Sequence, residues 1–181
     1  MKPNLQNTKI ETMILDVMKD YQYEIKYTKY PRHATKIAKS YQKCSYRIYA
    51  VGGDGMVHEI IQGLVGSNNE LVVIPAGTGN DFIRTISYTN NPYKLLKMSL
   101  HLKSESIDLI KVNDIYCINI FCCAFDSDIA NNVHNYQQAK YLPHALQYAN
   151  VLVKRLSKYR LYPTTLYYEG KKIYEENLIV V

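Results

Sequence analysis

Two apolar runs in this 181-residue chain, Tyr46–Val51 and Leu71–Ile74, each end in a glycine-rich loop that opens a helical segment. The first loop is Gly52-Gly53-Asp54-Gly55 and the second is Pro75-Ala76-Gly77-Thr78-Gly79-Asn80-Asp81. A strand that runs through glycine into a helix start makes an anion cradle. Glycine lets backbone N–H groups crowd a ligand, and the helix dipole favours negative charge at that end. Two such cradles in succession point to a polyphosphate ligand.

The periodicity around the loops extends this into an architecture. Ile10, Ile14, Val17 and Met18 recur at helical spacing over residues 8–19, and Tyr23-Glu24-Ile25-Lys26-Tyr27 alternates as a strand does. His33–Gln42 has a helical pattern, as does the segment carrying Val57, Ile60, Ile61, Leu64 and Val65. Leu71–Ile74 is apolar throughout, as expected of a parallel strand covered on both faces. A short helix over Asp81–Ile86 follows, then the turn signal Asn90-Asn91-Pro92 and a helix over Tyr93–Leu100. This alternation predicts a doubly wound α/β domain over residues 1–106, with ligand at the carboxyl ends of its strands.

From residue 107 the pattern changes. Ile107–Val112, Tyr116–Cys123, Thr164–Tyr168, Lys171–Tyr174 and Leu178–Val181 read as strands, Glu169-Gly170 as a hairpin turn and residues 138–158 as a helix. Residues 107–181 are expected to begin a mainly antiparallel β-rich domain that is incomplete at Val181.

Composition narrows the class. With 47% hydrophobic and 21% charged residues the chain resembles an ordinary globular protein, and no apolar run approaches the roughly 18 residues that span a bilayer. Met1-Lys2-Pro3-Asn4-Leu5-Gln6 has no apolar leader pattern, so the expected location is cytoplasmic. Cys44, Cys117, Cys122 and Cys123 lack metal-site spacing and read as reduced, buried thiols. The net charge of +6 arises at the amino-terminal end, where residues 1–50 hold ten Lys/Arg against four Asp/Glu. No nucleic-acid motif accompanies it.

Val51-Gly52-Gly53-Asp54-Gly55, followed by Ile74-Pro75-Ala76-Gly77-Thr78-Gly79-Asn80-Asp81-Phe82-Ile83-Arg84, resembles the catalytic domain of diacylglycerol kinases and bacterial lipid kinases. A lone G-G-D-G is shared with NAD kinases and phosphofructokinases. The second loop at this distance narrows the resemblance, leaving NAD kinase-like and sphingosine kinase-like enzymes as lesser alternatives. Thr28 with His33-Ala34, Ile107-Asp108 with Val112-Asn113, and Asn119–Asp126 are similar to further family segments.

The resemblance implies transfer of the ATP γ-phosphoryl group to the hydroxyl of a diacylglycerol-like lipid alcohol with Mg2+. It also implies transient contact with the inner membrane surface. The backbone of Gly52, Gly53 and Gly55 would approach the phosphates, and the N–H groups of Met56, Val57 and His58 would donate to them. Asp54 would handle Mg2+, because a carboxylate beside phosphates needs a bridging cation. Thr28 and Thr78 would hydrogen-bond the nucleotide, and Gly77 and Gly79 would shape the second loop. Asn80 and Asp81 read equally as nucleotide contacts or as a helix N-cap.

The sequence departs from the family pattern in three places. Met56 stands where threonine is usual. An opening apolar strand with an Asn-Pro-x-x-Gly loop is not found before Ile10, and the family's aspartate base is expected beyond Val181. The fold is therefore expected to lack its first strand and to expose a sheet edge, which makes self-association an expectation too. A noncatalytic, nucleotide-binding relative is the competing functional class.

Overall fold

The computed structural model describes residues 1, 3–6, 8–121 and 162–178, and the chain divides into two compact units, Met1–Ile120 and Phe121–Val181. After a single 3-10 turn at Pro3–Leu5, the first unit contains α1 (Lys9–Met18), α2 (His33–Ser40), β1 (Arg47–Gly52), α3 (Asp54–Leu64) and β2 (Glu70–Pro75). It continues with α4 (Asp81–Ile86), α5 (Pro92–Ser99), β3 (Ile110–Val112) and β4 (Ile115–Cys117). β1 and β2 pair in parallel from Arg47↔Glu70 to Gly52↔Pro75, with α3 as the crossover, which is the expected α/β arrangement. Burial deepens towards the carboxyl ends of both strands, where Ala50 and Ile74 are 0% exposed. The two glycine loops therefore leave the sheet side by side from its best-packed end.

Helix packing fixes where α3 points. Its apolar face, Val57, Ile60, Ile61 and Leu64, is buried, and Gly63 lets α2 approach closely. A Cβ on Gly63 would lie 2.6 Å from Ala38 Cβ and 2.7 Å from the Thr35 carbonyl oxygen. Glu59 of α3 caps the start of α2, its two carboxylate oxygens accepting from Arg32 N at 2.8 Å and Ala34 N at 3.2 Å. Arg32 has a left-handed φ of 65° and provides no side-chain cap itself, so the cap comes from the neighbouring helix. On β2, α5 is anchored by Leu96, and α1 packs in turn on α5. The Gln62 side chain holds β4 against α3 by donating to the Tyr116 carbonyl at 2.7 Å and accepting from its N–H at 3.0 Å. Arg47 pairs with Glu70 at 2.6 Å and also donates to the Ser99 and Leu102 carbonyls, closing the end of α5.

One expected strand does not form. Tyr23–Tyr27 keeps strand-like alternation, with Ile25 and Tyr27 half-buried beside exposed Glu24 and Lys26, yet it belongs to no ladder among the described residues. A strand needs a neighbouring edge, and this segment meets only a single residue of one. The Met1 ammonium donates to the Lys26 carbonyl at 2.8 Å, and Thr28 N donates to the Met1 carbonyl at 3.0 Å. Between the segment and β1 lies a cavity of about 940 Å³. Side-chain period thus predicted the alternation of burial but not a strand.

In the second unit, β5 (Tyr162–Tyr168) and β6 (Lys171–Leu178) form an antiparallel hairpin. Its turn is the expected Glu169-Gly170, both residues having positive φ (49° and 75°), the backbone a two-residue hairpin turn requires. The strand expected at 171–174 extends to Leu178, because pairing continues past a register shift at Leu166/Tyr167, and the rest of the strand expected at 178–181 lies outside the described residues. The predicted helix at 138–158, together with Cys122, Cys123 and residues 122–128, lies outside the described residues. Cys44 and Cys117 are free thiols; Cys117 is buried as expected, whereas Cys44 is only partly buried. Among the described residues no helix is long and apolar enough to cross a membrane.

Gly63→Ala is expected to destabilise the fold by about 1–3 kcal/mol through overpacking against α2, measured by urea unfolding. The Ser104 hydroxyl and the Arg47 guanidinium hold Glu70 below its ordinary value. Its stabilisation is complete above the unfolded value of about 4.3 and is lost as pH falls through the lowered folded value. Glu70→Gln is therefore expected to flatten the acid limb of the stability–pH curve below about pH 4.

Candidate functional site

The two loops are in backbone contact. A Cβ on Gly77 would lie 2.5 Å from Gly53 Cα, and a Cβ on Gly53 would lie 3.0 Å from Gly77 Cα. Only glycine permits that approach. The parallel ladder continues into it, with Ala76 N donating to the Gly52 carbonyl at 2.7 Å.

Asp54 ties the loops together. One carboxylate oxygen accepts from Asn80 N and the other from Asp81 N, both at 2.8 Å. These are the first N–H groups of α4, so the cap of that helix is supplied from the opposite loop. Asn80, in the N-cap position with a left-handed φ of 56°, makes no side-chain cap bond. Its amide instead closes the second loop, accepting from Gly77 N at 3.1 Å and donating to the Gly77 carbonyl at 2.8 Å. The N-cap reading of the Asn80 and Asp81 side chains is thus replaced by a cap from Asp54. Gly79 leaves room for it, since a Cβ there would lie 2.8 Å from Asp54 Oδ2 and 3.6 Å from Asp81 Oδ2. Two carboxylates therefore stand within 4 Å of one point above Gly79.

At the start of α3 the donors divide. Met56 N and Val57 N both donate to the Gly53 carbonyl, at 2.9 and 3.3 Å, so these N–H groups, expected to meet phosphate, are engaged within the chain. The Met56 and Val57 side chains face the core, at 7% and 1% exposure. His58 is exposed. A Cβ on Gly55 would meet nothing within 4 Å, so the open side of the first loop lies there. Thr78 is exposed, with no hydrogen bond from its hydroxyl among the described residues. Thr28 stands apart from this cluster. It is 9% exposed on the wall of the large cavity, with its hydroxyl 3.4 Å from the Met1 carbonyl.

The structure thus brings Gly52, Gly53, Asp54, Gly77, Gly79, Asn80 and Asp81 into one bonded unit, with Gly55 and Thr78 on accessible backbone. Among the described residues no three His, Cys, Asp or Glu side chains gather as a metal site. An ion here would rest on one or two carboxylates and on ligand oxygens, which is how Mg2+ is ordinarily held beside phosphates. The cross-loop roles of Asp54 and Asn80 carry no local sequence signal, because the Asp54 bonds span 26 and 27 residues.

The family model for the diacylglycerol kinase catalytic domain matches residues 6–112, which contain this whole unit. The chain belongs to that family. It is 38% identical over 78 residues to a protein described as a candidate lipid kinase from Staphylococcus carnosus strain TM300, covering 41% of this chain and 26% of the relative. A similarly described protein from Staphylococcus aureus strain MRSA252 is 30% identical over 135 residues, covering 73% of this chain and 42% of its own length. A crystal structure described as a diacylglycerol kinase from Bacillus anthracis strain Sterne superposes with a TM-score of 0.67 at 21% identity. The match covers 97% of this chain and 58% of that one, and at such identity the likeness is one of fold. The chain spans less than half the length of these curated relatives.

Asp54→Ala leaves the Asn80 and Asp81 N–H groups without their acceptor. It is expected to destabilise the fold by about 1–2 kcal/mol and to speed exchange of those two amides by at least about tenfold. Asp54→Asn, which keeps one acceptor oxygen, is expected to fall between, with thermal melts and hydrogen exchange as the measurements.

Proposed function

We propose that this chain carries the nucleotide-binding part of an ATP-dependent lipid kinase of the diacylglycerol kinase type, acting on a lipid hydroxyl. The observation that carries the reading is the bonded pair of glycine loops at the carboxyl ends of adjacent parallel strands, inside the region matched by the family model. That edge of an α/β sheet is where such folds take ligands.

Phosphoryl transfer depends mainly on positioning and on neutralising charge at the phosphoryl oxygens. Here the α3 amino terminus supplies a positive dipole end, and accessible Gly55 lets the phosphate chain approach the backbone closely. Thr78 offers an uncommitted hydroxyl to the nucleotide. Asp54 and Asp81 together provide the carboxylates that would hold Mg2+ beside the phosphates, and the ion would supply charge neutralisation to the transferring group. In this scheme Asp54 works both as a clasp and as a carboxylate facing the ligand. The lipid acceptor brings the chain transiently to an anionic inner membrane face from the cytoplasm.

The test is phosphate transfer from labelled ATP to diacylglycerol in mixed micelles, together with nucleotide binding by calorimetry. The chain is expected to bind MgATP, and a chain that also carries the aspartate base expected beyond Val181 is expected to transfer label. Thr78→Val is expected to weaken nucleotide binding by up to about tenfold with an unchanged melting midpoint, since one hydrogen bond is worth about 1 kcal/mol and the hydroxyl has no partner among the described residues. Binding without transfer to any lipid alcohol by that longer chain would make it a noncatalytic nucleotide-binding relative. Absence of nucleotide binding rejects both.

A further inference from the structure

The outward side of α2 carries charge of one sign. From Ile25 to Gly53 the chain holds no Asp or Glu, whereas residues 9–20 mix Lys9 and Lys19 with Glu11, Asp16 and Asp20. Within that acid-free stretch Lys26 pairs with Glu24 and Arg47 with Glu70. Lys29, Arg32, Lys36, Lys39 and Lys43 remain, all exposed and without an ion pair among the described residues. Glu59 of α3 reaches the start of α2, but its two oxygens are taken up by Arg32 N and Ala34 N.

Helix geometry gathers these cations. Ala34 and Ala38, both buried, turn α2 inward onto Gly63 of α3. Lys36 lies roughly opposite both alanines, with Arg32 one turn before it and Lys39 one turn after, and Lys43 sits in the turn that follows the helix. The loop ahead of α2 is fastened to the same side. Lys29 N donates to His33 Nδ1 at 3.0 Å, the Tyr30 and His33 rings stack at 4.4 Å, and Lys36 Nζ stands 5.2 Å from the centre of the Tyr30 ring. Loop and helix therefore present the five cations and the exposed Tyr30 phenol as one surface. Like charges at spacings of three and four destabilise a helix, and an opposing anionic surface relieves that cost.

We propose that this side of α2, with the Lys29–Arg32 loop, is the face by which the chain docks on an anionic lipid bilayer. Headgroups move laterally to meet a row of cations at whatever spacing it has, and the phenol of Tyr30, apolar in its body and polar at its tip, suits the headgroup layer. Each cation close to such a leaflet raises the affinity about fivefold, and the attraction fades over about 10 Å at 0.1 M salt, so the contact is reversible and salt-sensitive. The choice of a bilayer over other polyanions rests on the lipid hydroxyl reading above.

The experiment is sedimentation of the 181-residue chain with vesicles of phosphatidylglycerol and phosphatidylcholine in equal parts, containing no diacylglycerol and with no ATP present. Saturable binding is expected, lost on raising salt from about 0.05 to about 0.5 M and absent with phosphatidylcholine alone. The double variant Lys36→Gln/Lys39→Gln is expected to bind at least about tenfold weaker with an unchanged melting midpoint. Lys94→Gln/Lys103→Gln, which removes two exposed lysines on and after α5, is expected to bind as the parent does. Absence of binding to the anionic vesicles, or equal binding of the two double variants, overturns the proposal. So does a short DNA duplex that displaces the chain from the vesicles at equal phosphate concentration, because the face then belongs to nucleic acid. A chain that binds MgATP but not the vesicles loses this docking face alone, and one that binds the vesicles through Lys36 and Lys39 but no nucleotide loses the kinase reading and keeps the face.

Discussion

The contact between Gly53 and Gly77 is the constraint on which the rest of the site depends. Two loops that leave neighbouring parallel strands can meet backbone to backbone only where neither carries a Cβ. Once they meet, the Asp54 carboxylate reaches two amides of the facing loop and becomes the cap of α4, while the Asn80 amide closes its own loop on Gly77. The start of a six-residue helix, too short to persist alone, is therefore fixed by a side chain from the preceding crossover.

The same logic holds one layer out. α3 must point its amino terminus at the loop region, and its direction is set by the close α2 approach at Gly63 and by Glu59 capping α2 in return. The buried carboxyl halves of β1 and β2 then serve as the platform. On this platform Gly55 is the point of open access beside the first loop, and Asp54 and Asp81 converge above Gly79, where the proposed cation and phosphates would sit. Away from this unit, β1 pairs with β2 alone among the described residues.

Much of this was legible in the residues. The helices at Lys9–Met18, His33–Ser40, Asp54–Leu64 and Asp81–Ile86, and the turn at Glu169-Gly170, follow from side-chain period and from glycine, which are local properties. The glycine loops and the family resemblance followed from the same short segments. The failed strand at Tyr23–Tyr27 marks the limit of such reading, because its alternation is real while its partner edge is a matter of what lies beside it. The N–H groups of Met56 and Val57 mark it again, since helix-start donors that look free in sequence are taken by the Gly53 carbonyl.

By itself the sequence determined the order of strands and helices, the two places where the backbone turns through glycine, and hence the family, because these rest on interactions between residues a few positions apart. The tertiary structure decided which polar groups of those loops remain for a ligand and which hold the loops together, and it decided that one strand-like segment has no ladder. Those outcomes depend on hydrogen bonds and contacts spanning some 25 residues or more, such as Asp54 to Asn80 and Met1 to Lys26, and only chain folding brings such partners within reach.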